Sequence, residues 1–160
     1  MGVSTIKYLT IFFLSMIPIL ELRFAVPFAV GMDLPYLPAL ITCVIGNMVP
    51  VPFIYLFARK FLIWGSRQKY MGNFCQKFLE KGEKAGQKIV AATGRGGTFL
   101  ALMLFVGIPV PGTGAWTGAL AASLLDLGPK TTAAAVSLGV IMAGVIMAVA
   151  SGSVFHIVGI

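Results

Sequence analysis

The sequence predicts an all-α integral membrane protein. Its plan is an inverted repeat of two re-entrant helical hairpins plus transmembrane helices, joined by an amphipathic interfacial linker helix. Three observations lead there. Of 160 residues, 58% are hydrophobic and 11% charged, with mean hydropathy +0.95, whereas soluble domains carry roughly 25% charge. Four long stretches hold almost no charge, and two of them are interrupted by prolines and glycines. Within the first, a carboxylate and a guanidinium stand two residues apart, in Glu21-Leu22-Arg23.

Taken in order, the stretches are Tyr8–Met32, Leu34–Ala58, Thr98–Leu125 and Thr131–Ile160. A crossing helix needs about 20 apolar residues for a hydrocarbon core of roughly 30 Å. The second and fourth meet that without difficulty. The first is broken by Pro18, Glu21, Arg23 and Pro27, and the third by Gly107, Pro109, Pro111, Gly112, Gly114 and Gly118. The piece Tyr8–Leu20 spans only about 20 Å as a helix, too short to cross alone. Lys7 followed by an apolar run has the look of a signal peptide. Its basic region is weak, however, and Glu21-Leu22-Arg23 is a poor cleavage context, so no cleavage is expected.

The two halves correspond. An offset of 93 residues aligns Thr5 with Thr98, Leu9 with Leu102, Pro18 with Pro111 and Ala29 with Ala122. It also aligns Asp33-Leu34 with Asp126-Leu127, and Gly46 with Gly139. Interrupted apolar segments at matching places in two halves are a transporter-type pattern. One domain over 1–160 is expected, with repeats at about 1–60 and 96–160 and the linker at about 61–95. Two topologies fit. If stretches one and three are re-entrant, the repeats are inverted, both termini lie outside and the linker lies inside. If all four cross, the repeats are parallel and both termini lie inside. Lys130 favours the first and Lys7 the second; the breaks tip the balance to the first, since irregular backbone at membrane depth is tolerated only in protein or around a wet cavity.

The net charge of +7 raises the question of nucleic acid. Nine of the twelve Lys and Arg residues fall between Arg59 and Arg95, which fits the positive-inside rule and anionic lipid contact instead. Within this linker Met71, Phe74, Phe78, Ala85, Ile89 and Ala92 share one helical face, and Lys77, Lys81, Lys84 and Lys88 another. That describes a helix in the cytoplasmic interface of the inner membrane. Gly94-Arg95-Gly96-Gly97 is a flexible joint, too short and badly placed for a phosphate loop. Cys43 and Cys75 are not expected to pair, and His156 is the sole histidine, so neither a disulfide framework nor a metal site is expected.

The chemistry concentrates at the breaks. Charges at the bilayer centre cost about 2.5–3.5 kcal/mol each on insertion scales, so such a pair is by default a functional site. Arg23 presents a planar five-donor fork suited to phosphate or carboxylate. Glu21 can pair with it or carry a proton. A helix starting near Phe24 would aim free N–H groups at the same place. A structural alternative is a mutual salt bridge, or Arg23 tying down carbonyls freed by Pro18 and Pro27. Facing them, Gly107 to Gly118 carries no charge; its backbone approaches closely and Thr113 and Thr117 add hydroxyls. Trp116 is either a pocket wall or packing. Asn47, near Pro50 and Pro52, bonds a broken backbone or a ligand. Asp33 and Asp126 resemble N-caps or turn residues. Candidate substrate- or ion-binding residues are Glu21, Arg23, Pro27, Asn47, Pro109, Pro111, Gly112, Thr113, Gly114, Trp116 and Thr117.

With Pro27 and Gly31, Glu21-Leu22-Arg23 resembles the first motif of the bacterial and archaeal small multidrug export proteins. Gly107-Ile108-Pro109-Val110-Pro111-Gly112-Thr113-Gly114-Ala115-Trp116 resembles their second. That family is similar in layout to the DedA-like (VTT) membrane proteins. The resemblance implies paired re-entrant hairpins and proton-coupled movement of lipids, including polyprenyl-phosphate carriers. DedA-like proteins carry an arginine in their second loop, which Gly112-Thr113-Gly114 does not. The expected activity is proton-coupled translocation of an anionic amphiphile, with Arg23 and the Gly112–Gly114 backbone on the head group and Glu21 as the proton-coupled group. Alternatives are proton-coupled efflux of lipophilic cations on Glu21, and a non-transporting structural or assembly subunit. Catalysis is not expected, since no nucleophile–base pair or cofactor motif is present. Expected partners are membrane lipids, a small amphiphile and protons, and not nucleic acid; a body this small also suits a homo-oligomer.

Overall fold

The computed structural model describes residues 2–18, 20–68, 72–110 and 113–158. Among them every regular element is an α-helix. Around the first break stand α1 (Val3–Met16) and α2 (Glu21–Gly31), followed by α3 (Tyr36–Met48) and α4 (Pro50–Ser66). Then come α5 (Gly72–Gly107), α6 (Ala115–Leu124) and α7 (Pro129–Val158). Met71, Pro111 and Gly112 lie outside the described residues, as do the side chains of Phe78, Ala85, Ile89 and His156.

Local chemistry sets the ends. Ile17 leaves the helix at ψ 129, as a residue before proline must. Asp33 and Asp126 both take φ 56. The Leu34 N–H donates to Ala29 O at 3.2 Å, and the Leu127 N–H to Ala122 O at 3.0 Å. These are two copies of one left-handed helix closure, a conformation aspartate tolerates better than most residues. Both aspartates thus stand in the turns that end α2 and α6, and α3 starts after Pro35 with no side-chain cap. Lys7 closes the α1–α2 hairpin at this level, its Nζ donating to Met32 O at 2.7 Å.

Val49 keeps helical dihedrals, φ −56 and ψ −47, so α3 and α4 form a run of 31 residues, Tyr36–Ser66. With the 25 residues of Pro129–Ser153, that makes two helices among the described residues long and apolar enough to cross a bilayer. By contrast α1, α2 and α6 have 14, 11 and 10 residues. Element boundaries recur at the 93-residue offset: Gly31 and Leu124 end α2 and α6, and Tyr36 and Pro129 open α3 and α7. The packing recurs as well. α1 lies on α2 and α3, α5 lies on α6 and α7, and α3 meets α7 between them.

At the crossings of α1 with α3 and of α5 with α7 sit the offset-related glycines. A Cβ on Gly46 would land on Ser15 Oγ and lie 2.6 Å from Phe12 O; one on Gly139 would lie 2.7 Å from Met103 O. Small residues at such crossings let backbones touch. Outside, large apolar side chains face outward, among them Leu37 (67% exposed), Val149 (64%) and Phe13 (60%). Ser15, Asn47 and Thr132 are buried. An apolar interior that also holds a few polar groups, under a surface of large apolar side chains, is the arrangement of a membrane protein.

Gly94, at φ 67 and ψ 178, kinks α5, where a joint was expected. Before it, the segment 72–93 is helical, with Lys77, Lys81, Lys84 and Lys88 exposed. Phe74 and Ala92 of the expected apolar face are exposed too, so at those positions the body does not cover the stripe. Cys75 is buried instead, its Sγ facing Gly65.

Gly46→Ala and Gly139→Ala should each destabilise the protein by about 1–3 kcal/mol, because the blocking atoms include helix backbone that cannot rotate away. Thermal unfolding in detergent checks this; an unchanged midpoint for either variant would contradict the close crossing.

Candidate functional site

α2 begins at Glu21, three residues before the expected Phe24, and Glu21 itself takes φ 47. This left-handed start turns its carboxylate toward the second break. Glu21 is 5% exposed. Its Oε1 accepts the Trp116 N–H at 3.3 Å, and the Ala115 N–H faces the same carboxylate. These amides belong to the first turn of α6, whose N–H groups have no partner within the helix. The first break thus caps the helix that opens after the second, and the helix dipole favours an anion there.

Arg23 binds the other side of the same break. Its Nη2 donates to Thr113 Oγ1 at 2.9 Å and to Ile108 O at 3.3 Å. Its Nη1 lies 3.4 Å from Glu21 Oε2, an ion pair too long for a tight hydrogen bond. The Thr113 hydroxyl is also within reach of Ile108 O and Val110 O, so it holds the turn on either side of Pro109. The second break carries no charge of its own, and Arg23 supplies one across the gap. In return the Trp116 indole Nε1 donates to Met16 O at 3.1 Å, satisfying a carbonyl at the end of α1. Each break closes the other.

Two expected roles are occupied from within. The Gly114 N–H donates to Thr117 Oγ1 at 2.8 Å, so Thr117 caps its own helix, and a head group would have to displace that hydroxyl to use the Gly114 amide. Gly114 instead makes room: a Cβ there would fall on the Glu21 carboxylate. Asn47 does not bond a broken backbone through its carbonyl oxygen. It is buried, and Oδ1 has no partner; neither has Arg23 Nε. Both residues line a cavity of about 10 Å³ with Glu21, Leu22, Val106, Gly114, Ala115, Val140 and Ala143.

Pro27 stands apart, on an apolar groove of about 560 Å³ with Leu14, Leu20, Phe24, Phe28, Gly31 and Met32. The groove follows one face of α2 from Phe24 to Gly31, and none of the clasp residues lines it. The fold therefore brings Glu21, Arg23, Asn47, Thr113, Gly114 and Trp116 together, leaves Pro27 on the outer groove, and puts Pro109 in the turn that Thr113 holds. Sequence reasoning missed Ile108, Met16 and Ala115. They act through backbone atoms, and no side-chain type signals that.

Gly114→Ala should lower the thermal midpoint by about 3 °C or more, the cost of forcing the carboxylate off the α6 N-terminus. In a Glu21→Ala background the same change should cost much less, because the colliding carboxylate is gone. Equal costs in both backgrounds would refute the contact.

No curated protein and no solved structure matches the chain. A family model described as "Putative small multi-drug export protein" matches residues 21–146, which takes in α2 with Glu21 and Arg23, the linker, the second break and the first part of α7. The match starts at Glu21, the carboxylate of the clasp, and by it the chain belongs to the small multidrug export protein family.

Proposed function

We propose that this protein is a proton-coupled transporter of an anionic amphiphile, such as a lipid-linked phosphate, in the inner membrane. The carrying observation is the clasp itself. Glu21 and Arg23 of one break hold Trp116, Thr113 and Ile108 of the other. In this reading α1–α2 and the end of α5 with α6 are re-entrant hairpins of an inverted repeat, and the basic linker is cytoplasmic. Their lengths support it: 14 residues of α1 reach about 21 Å, well short of a hydrocarbon core. Tips of such hairpins would meet at bilayer depth.

The sign of the substrate follows from the local charge. The Glu21 carboxylate is already compensated by the Arg23 guanidinium and by the α6 N-terminus, equivalent to roughly half a positive charge. The site as a whole is therefore slightly positive. A phosphate can replace Thr113 and Ile108 O on the Arg23 fork with a stronger, charge-assisted pair. The groove beside Phe24 offers its apolar tail a place. In this reading Glu21, held on both oxygens within the clasp, is the proton-coupled group. The family description favours a second reading, efflux of lipophilic cations. That reading requires a carboxylate only 5% exposed to leave both of its partners.

Purified protein in liposomes should move a labelled polyprenyl phosphate faster under a pH gradient. Arg23→Ala should reduce transport at least tenfold, and Glu21→Gln should leave movement that no longer responds to the gradient. No lipid movement by wild type would sink the reading, and cation efflux from the same vesicles would then replace it. If neither charge matters to any transport while both variants lose stability, the pair is structural.

A further inference from the structure

We propose that the cavity behind the clasp is a binding site for a single water, held between Asn47 and Arg23. Its volume of about 10 Å³ is what one water needs. Asn47 is 3% exposed, and two polar atoms of the lining residues, Asn47 Oδ1 and Arg23 Nε, are buried without partners. Buried polar groups are nearly always bonded, and one that is not calls for an explanation. Here the two are complementary: one donates and the other accepts.

The hydrogen-bond inventory selects the ligand. Arg23 Nε offers one N–H, Asn47 Oδ1 accepts, and the Glu21 carboxylate beside them also accepts. A water accepts once and donates twice, which matches this set. A metal cation would face the guanidinium, an anion would face the carboxylate and the amide oxygen, and nothing larger than water fits. Leu22, Val106, Val140 and Ala143 supply apolar walls, with Gly114 and Ala115 beside them. Asn47 is then a positioning residue for the clasp. It fixes a water at Nε of the Arg23 guanidinium, whose Nη2 holds Thr113, and sets a proton-exchanging molecule next to Glu21. The use of that water in proton coupling rests on the transport reading; its occupancy does not.

X-ray radiolytic labelling of the protein in lipid nanodiscs, read by mass spectrometry, tests the site without any transport assay. Hydroxyl radicals born from a bound water mark the side chains around it. Leu22 and Val106, each 1% exposed, should be labelled in wild type. Ile11 and Val136, both 0% exposed and absent from the cavity lining, should not. Asn47→Leu should abolish labelling at Leu22 and Val106 while Ile11 and Val136 stay unlabelled, which also shows the variant to be folded. Wild-type Leu22 and Val106 as silent as Ile11 would overturn the proposal. So would labelling that persists undiminished in folded Asn47→Leu, since the water would then reach these residues by another route. Should Asn47→Leu loosen the whole fold, Ile11 and Val136 become labelled as well, and the wild-type pattern decides alone.

Discussion

Backbone groups freed inside an apolar body must be bonded by the protein itself, and this chain frees them at two places. The prolines and glycines that interrupt the helices leave carbonyls at Met16 and Ile108 and amides at Ala115 and Trp116. Neither break holds enough side-chain donors and acceptors to satisfy itself. The first has two charges; the second has an indole and the hydroxyls of Thr113 and Thr117, the latter already taken by the Gly114 N–H. Exchange between them meets the need and fixes the distance between the halves. The packing of α2 on α7 and of α4 on α6 then follows from where the breaks must lie.

The exchange is unequal in an instructive way. Positions 21 and 114 correspond by the 93-residue offset, as do 23 and 116. One half has a carboxylate where the other has only a hydrogen, and the carboxylate fills the space that hydrogen leaves. Arg23 and Trp116 both reach across to a carbonyl near the end of the helix before the opposite break. Helix boundaries and contacts recur at this offset while the side chains at the junction differ, with charge at one break and room for it at the other. Elsewhere the repetition is literal, as in the paired left-handed aspartates and the paired crossing glycines.

Much of this was legible in the sequence, for definite reasons. Long apolar runs declare helices, and charges set within such a run demand partners because their cost is too large to leave unmet. The recurrence of Asp-Leu and of the later glycine was visible because left-handed closure and close crossings restrict residue type severely. What stayed hidden needs three dimensions. The start of α2 at Glu21 depends on a left-handed residue where nothing local favours one. The position of Asp33 after a helix, and not before the next, turns on a bond from Leu34 to Ala29. Thr117 reads as a free hydroxyl until its own helix claims it.

The indole of Trp116 gives the junction an intrinsic optical signal. The chain has two tryptophans, and the other, Trp64, is 58% exposed on α4. A ring whose N–H is bonded to a main-chain oxygen across the gap emits differently from one released into water or lipid. In a Trp64→Phe protein, the emission of a single residue would follow the separation of the two halves in real time, with no dye attached and no engineered cysteine.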